Sequence, residues 1–317
     1  MLLCICLLLA VYALGTGTLS LSATQVIDAL RGEGPRNFSV IVNQWRLPRV
    51  SMALIIGAAL GVSGAIFQSL MRNPLGSPDV IGFNSGAYSG VLIALVLFNS
   101  GIAGITTGAM VGGIFTAAIV YLLAWRNGVE TFRLIIVGIA VRALFMAGNT
   151  WLLISASLES ALSAGLWNAG SLNGITWAKS APVIGLIVIA LLMALLLSRR
   201  MKLLEMGDDT ACALGVSVEP SRLLLMLAGV ALTAAATAVA GPISFIALVA
   251  PQIARRLCPN QSQPLVLAAL CGALLLLAAD VIAQRVFLPY QLPVGVLTVS
   301  LGGIYLIGLL VRESRRK

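Results

Sequence analysis

Residues 184–197 read Ile-Gly-Leu-Ile-Val-Ile-Ala-Leu-Leu-Met-Ala-Leu-Leu-Leu, an unbroken apolar run that ends at Ser198-Arg199-Arg200. The strands of a membrane β-barrel alternate apolar and polar positions, and this run does not. Extended back to Lys179, it reaches the ~20 residues that a helix needs to cross the hydrocarbon core of a bilayer. A spanning helix is therefore predicted over about 179–198.

The same texture fills the chain. Of 317 residues, 59% are hydrophobic and 10% charged, and the mean hydropathy is +1.03. Soluble domains carry roughly 25% charged residues, so a soluble enzyme and a disordered chain are both excluded. Apolar runs and their breakers predict ten spans, at about 1–19, 48–71, 79–98, 102–125, 132–156, 179–198, 222–240, 243–256, 264–283 and 292–312. The expected fold is all-α: a polytopic membrane protein of about ten transmembrane helices in one domain over 1–317, with a coupling-length inner loop at about 199–221. The eighth span is short and opens on Gly241-Pro242, so it is expected to be tilted or partly re-entrant. Met1 begins directly in an apolar run without a basic leader, so no cleaved signal peptide is expected.

A formal charge of +9 could suit nucleic acid, but the 20 basic residues are scattered between apolar runs. That pattern is the positive-inside rule, which makes the lipid bilayer the expected partner and leaves no role for nucleic acid. With the N-terminus in the cytoplasm, thirteen basic residues fall inside, among them Arg72, Arg199, Arg200, Lys202, Arg222, Arg255 and Arg256. Six fall outside: Arg31, Arg36, Arg46, Arg49, Lys179 and Arg285. Both termini are thus expected inside. Arg142 is left over, about ten residues into the fifth span. Burying arginine there costs ~2.5–3.5 kcal/mol on insertion scales, which leaves two readings open. It pairs with Asp280 or backbone carbonyls, or it lines a path and attracts an anion.

Five cysteines form no C-x-x-C pair and histidine is absent, so neither a metal site nor a histidine proton relay is expected. No G-x-x-x-x-G-K-[ST] loop occurs, so any ATP must be hydrolysed by a partner. No catalytic residue, metal ligand or cofactor is assigned to this chain. An ion-coupled secondary transporter is the competing class. Asp280 is the only carboxylate well inside a predicted apolar stretch, which argues against it.

Six stretches interrupt the apolar texture. Trp45-Arg46-Leu47-Pro48-Arg49 stands at the outer mouth of the second span, where proline suits a first helical turn. Its arginines either anchor in lipid headgroups or pair with carboxylates of an acidic partner. Gly57–Gln68 sets Gly57, Gly61 and Ser63-Gly64 at helix-packing spacing, then leads into the inner turn Met71–Asp79, a connector or a constriction. An outer loop is expected over Gly165–Leu172. Within Leu203–Gly215 a short surface helix is expected, capped by Asp208 or Asp209 and stopped by Gly215. Gly241–Arg256 and Gln291–Val296 carry prolines that start or kink helices. Arg49 before Gly57-Ala58-Ala59-Leu60 and Arg222 before Gly229-Val230-Ala231-Leu232 are faintly similar. They lie five spans apart, so a true repeat would be inverted in the membrane.

In this order and spacing, the six stretches resemble the permease subunits of ABC importers for iron–siderophores and vitamin B12, the FecCD family. The elements R-L-P-R, N-P-L-x-x-P, W-x-x-G-S-L, G-D-x-x-A-x-x-L-G, G-P-I-x-F-I-x-L-V-x-P and L-P-V-G-V are all present. Glu205–Gly215 and Ser300–Ile307 resemble more narrowly the G-type permeases of ferric enterobactin importers. The resemblance implies a type II ABC importer permease of the cell inner membrane that moves a ferric siderophore, ferric enterobactin, with another siderophore or vitamin B12 as the alternative. It implies a second FecCD-type permease, two cytoplasmic ATP-binding subunits and a periplasmic siderophore-binding protein as partners. It further implies that Arg46, Arg49 and, offset by about one residue, Arg285 dock the binding protein. Glu205, Gly207, Asp208, Asp209, Leu214 and Gly215 then belong to the element that couples to the ATPase. Asn73, Leu75 and Thr131 close the inner end of the pathway. Two places depart from the family pattern: Gln252, where many members have histidine, and Gly302-Gly303-Ile304, where many have proline.

Overall fold

In a bilayer every backbone N–H and C=O must be satisfied within the protein, and a helix does this along its whole length. The computed structural model describes residues 1–17, 19–125, 131–259, 264–286 and 291–314, and among them the regular elements are all helical. The first half holds α1 (Leu2–Gly15), α2 (Ala23–Arg31), α3 (Arg36–Val40), α4 (Leu47–Leu70), α5 (Phe83–Val96), α6 (Ile102–Ala124), α7 (Thr131–Ser155) and α8 (Leu158–Asn168). The second holds α9 (Trp177–Leu196), α10 (Ser198–Glu205), α11 (Asp208–Ala213), α12 (Val218–Ala240), α13 (Ile246–Leu257), α14 (Leu265–Arg285) and α15 (Val294–Ser314).

Each of the ten predicted spans is occupied by a helix. Among the described residues, six helices are long and apolar enough to cross a membrane: Arg36–Leu70, Ile102–Ala124, Phe132–Ser155, Trp177–Leu196, Val218–Ala240 and Leu265–Arg285. Helices α1, α5 and α15 are shorter and apolar. Helix α13, the short eighth span, has 12 residues.

Helix α4 is the central strut, buried on nearly every side against α9, α12, α13 and α14. Its small residues explain how. A Cβ added at Gly57 would strike the Gly272 carbonyl of α14, one at Gly61 the Ala268 carbonyl, and one at Gly64 the Ala247 carbonyl of α13. Small residues let helices meet backbone to backbone, where lipid supplies no hydrophobic drive for association. Toward α12 the contact is polar: the Ser63 hydroxyl donates to the Gly229 carbonyl at 2.8 Å and lies 2.8 Å from the Thr233 hydroxyl. Helices α5 and α6 repeat the device at Gly86, Gly90, Gly108 and Gly112.

Three local expectations need correction. Pro48 does not begin a helix, because the chain is already helical from Arg36 and passes through a π turn at Ile41–Arg46. The Leu47 N–H reaches back five residues to the Val42 carbonyl, a register change just ahead of a residue that has no N–H to donate. The segment expected as an outer loop is helical to Asn168, with Ser157 as N-cap accepting from the Ser160 N–H at 3.2 Å. Asp208 does not cap α11. Gly207, at φ 117, precedes the helix, and Asp208 is its first residue. Gly215 does stop that segment in the left-handed region, at φ 80.

The glycine contacts set a clear contrast. Gly61→Val should destabilise the permease by ~1–3 kcal/mol through overpacking. Exposed Gly148, where an added Cβ meets nothing within 4 Å, should gain up to about 1 kcal/mol as alanine. Thermal unfolding of the purified protein in detergent, followed by tryptophan fluorescence, checks both.

Candidate functional site

Three of the singled-out stretches meet where helices break. Helix α12 ends at Gly241 (φ 71), and extended chain leads to α13 through Phe245, which also sits at φ 71. Beside it, α8 ends into Gly170 (φ 68), and α15 begins just after Pro293. The Ser171 N–H donates to the Ala240 carbonyl at 2.6 Å, and the Gly295 N–H to the Gly170 carbonyl at 2.9 Å. A Cβ at Gly170 would strike the Pro242 carbonyl, and one at Gly295 the Ala169 carbonyl. Irregular backbone at membrane depth is tolerated where protein covers it or where it lines a cavity. Both hold here.

The junction forms one wall of a cavity of about 560 Å³, through Asn168, Pro242, Ser244, Val296 and Ser300. Helices α5 and α7 form the opposite wall, through Asn84, Tyr88, Arg142, Asn149 and Thr150. Asn149 is fixed across the two helices: it accepts from the Ser89 hydroxyl at 2.5 Å and donates to the Ser85 carbonyl at 3.1 Å. The Tyr88 ring is stacked on Trp167, with centroids 6.3 Å apart and planes 8° from parallel. A second cavity of about 280 Å³ shares Asn84, Ser85, Arg142 and Ser244 with the first and adds Asp79, Phe245 and Leu248. Arg142 therefore stands where the two meet. Asp280 is not its partner. Among the described residues, no carboxylate lies within 4 Å of the Arg142 guanidinium.

The outer arginines differ in exposure, Arg285 being exposed and Arg46 and Arg49 half-buried. Arg49 holds Asp280 with two bonds, Nε to Oδ2 at 2.9 Å and Nη2 to Oδ1 at 2.8 Å, the side chains being 15% and 1% exposed. Gln284 adds a third donor to Asp280 at 2.8 Å. Arg46 is half-buried and donates to the carbonyls of Leu14, at 2.8 Å, and Leu19. Arg285 is exposed, its guanidinium 5.3 Å from the centre of the Tyr12 ring.

On the inner side, Asp208 accepts from Arg72 at 2.5 Å and from Arg222 at 2.9 Å, and Arg222 also donates to Glu219 at 3.2 Å. Burial pushes the Asp208 carboxyl upward, but Arg222 and Arg72 outweigh it and hold the group below the usual carboxylate range. This clamp ties α11 to the end of α4 and the start of α12, leaving Asp209, Met206 and Leu214 exposed beside Gly215. Glu205 is half-buried. In the inner turn, the Asn73 side-chain carbonyl accepts from the Leu75 N–H at 2.9 Å, and Leu75 is exposed. Thr131 opens α7, and its side chain lies outside the described residues.

Sequence reasoning missed the network behind that turn. Gln252 donates to the Pro74 carbonyl at 2.9 Å and accepts from the Tyr305 hydroxyl at 3.2 Å. Gln68 donates to the Leu248 carbonyl at 2.9 Å and accepts from Arg255 at 2.5 Å. Gln68, Arg255 and Tyr305 carry no spacing that marks them as partners. Gly302, two residues before Ile304, is where the Phe245 ring packs, leaving no room for a side chain.

Residues 3–312 match the FecCD transport family. The chain belongs to that family. It is 67% identical over 312 residues to the ferric enterobactin transport system permease protein FepG of Escherichia coli (strain K12), covering 98% of this chain and 94% of that one. It is 36% identical to the hemin transport system permease protein HmuU of Yersinia pestis, covering 98% and 95%. An inward-facing structure of a metal-chelate type ABC transporter aligns with a TM-score of 0.85 at 30% identity, covering 98% of this chain and 97% of its own.

For a FecCD permease the Arg49–Asp280 pair makes a sharp prediction. Breaking a buried pair by removing one partner costs ~3–5 kcal/mol. Arg49→Ala should therefore lower the melting temperature markedly, whereas the double variant Arg49→Leu with Asp280→Leu should recover much of the loss. Equal melting of both variants and the wild type would show that the pair is dispensable.

Proposed function

We propose that this chain is the transmembrane permease subunit of an ATP-driven importer that passes ferric enterobactin across the inner membrane. The single observation that carries the reading is near-full-length identity of 67% with a permease of that named system. The polar cavity between α5, α7 and the helix-break junction is the path through the subunit, and the inner turn Asn73–Leu75 is its closing end, with Thr131. The carrier chemistry needs no catalytic group from this chain, because ATP is hydrolysed by two cytoplasmic subunits.

Those subunits seat against the exposed inner element, where Met206, Asp209 and Leu214 present a mixed apolar and acidic surface. The clamp on Asp208 makes that element a rigid handle, since α11 cannot move without pulling the ends of α4 and α12. The periplasmic siderophore-binding protein docks through Arg285 and Arg46. Arg49 supports that surface from below through Asp280. A second permease of the same family completes the path, and exposed Arg199, Arg200 and Lys202 keep this loop, with both termini, in the cytoplasm.

Uptake of radiolabelled ferric enterobactin by a strain deleted for its own permease tests the reading: the wild-type chain should restore uptake when its partner subunits are present. Arg46→Glu with Arg285→Glu should weaken binding-protein capture at least tenfold in a surface-binding assay while the ATPase stays attached. Asp208→Arg sets three cations together and should leave ATP hydrolysis running with uptake largely lost. Undiminished coupling in that variant would make α11 a passive connector.

A further inference from the structure

Among the described residues, Arg142 is the only charged one lining the larger cavity. Around it the walls offer neutral donors, the amides of Asn84 and Asn168 and the hydroxyl of Ser244, while the Thr150 and Ser300 hydroxyls donate to the Met146 and Val296 carbonyls and turn only acceptor lone pairs to the space. Tyr88 adds an aromatic face backed by Trp167. The position is also built. Gly82, at φ 76, lies so near α7 that a Cβ there would be 3.2 Å from the Arg142 Cβ and 3.4 Å from the Gly138 carbonyl. The close approach of this turn sets Asp79, which accepts from Asn84, on the smaller cavity with Arg142 and Phe245. A cation thus faces the larger space, with a carboxylate behind it on the side of the smaller one.

An ionisable residue at membrane depth marks a pathway when it faces a cavity. Transport requires a hold strong enough to admit the cargo and weak enough to release it. We propose that Arg142 is the charge-selecting residue of the cavity: it holds anionic ferric chelates in passage, and Asp79 keeps that hold weak enough for release. The inference rests on the reading that the chain carries a ferric siderophore. A ferric tris-catecholate fits the site, since its phenolate charges outnumber the charge on the iron. The phenolate oxygens accept from the guanidinium, the Asn84 and Asn168 amides and the Ser244 hydroxyl, and the catechol rings meet Tyr88. The Asp79 carboxylate repels the same anion, so the site does not become a trap.

The test is an uptake series in the complete importer, with Arg142 replaced by Lys, Gln and Glu and Asp79 by Asn. Membrane protein amounts and binding-protein-stimulated ATP hydrolysis are measured alongside. At equal protein amounts, Arg142→Lys should keep at least half of the uptake rate, Arg142→Gln should lose about tenfold, and Arg142→Glu should lose more. Asp79→Asn should lower the apparent KM and the maximal rate together. A merely structural arginine would show as reduced protein amount, without an order set by charge. Uptake by Arg142→Gln or Arg142→Glu equal to wild type overturns the proposal. The cargo assignment is judged separately, by whether the wild-type chain restores ferric enterobactin uptake. If it restores ferric citrate uptake instead, the same charge series is read on that anion.

Discussion

The backbone-to-backbone approach of α4 to α14 is the contact on which the other features depend. It requires Gly57, Gly61 and Gly272, because a Cβ at any of them would enter the partner helix's main chain. Once that distance is fixed, Arg49 on α4 lies opposite Asp280 on α14 and the two close into a bidentate pair. The inner end of the same helix delivers Arg72 to Asp208 and Gln68 to Leu248. A helix held this tightly along its length moves as a rod. Its outer charge pair and its inner clamp are therefore mechanically one unit.

The ten spans were legible because an apolar run of span length has one reading in a membrane protein. Packing glycines were legible too, from spacing alone. Less visible were features created by non-local demand. The π turn before Pro48 answers a proline that lies inside a longer helix, and nothing in Arg36–Arg46 announces that the helix begins so early. Helix α8 lacks a long apolar run, so it read as loop. The meeting of Gly170, Gly241 and Gly295 could not be read from any one stretch, because each glycine is required by a carbonyl from another element.

Charge was legible by side and not by partner. Counting arginines at span ends assigns a membrane face, which depends only on position along the chain. Which carboxylate each arginine meets depends on the third dimension. Asp280 was open to Arg142 on depth alone, yet the packing of α4 on α14 gives it to Arg49. Two consequences follow from that one assignment. Arg49 is engaged by a carboxylate of its own fold at 15% side-chain exposure, and the mid-membrane arginine is left facing the cavity.

The break between α12 and α13 shows the same economy of placement. Phe245 occupies a left-handed backbone region that a bulky residue adopts only under constraint, at a cost on the order of 1–3 kcal/mol. The constraint is visible: its ring fills the space that Gly302 leaves open on α15. Between Gly241 and Phe245 the chain is not helical: the Gly241 N–H bonds back to the Thr237 carbonyl, the Phe245 carbonyl accepts from the Leu248 and Val249 N–H groups, and Pro242 and Ser244 line the cavity. Strained backbone, cavity wall and the turn at Asn73–Leu75 are thus connected through α13, whose Gln252 holds the Pro74 carbonyl. A shift of α15 that released Phe245 would relieve the strain and, through Tyr305 and Gln252, loosen the turn at Pro74.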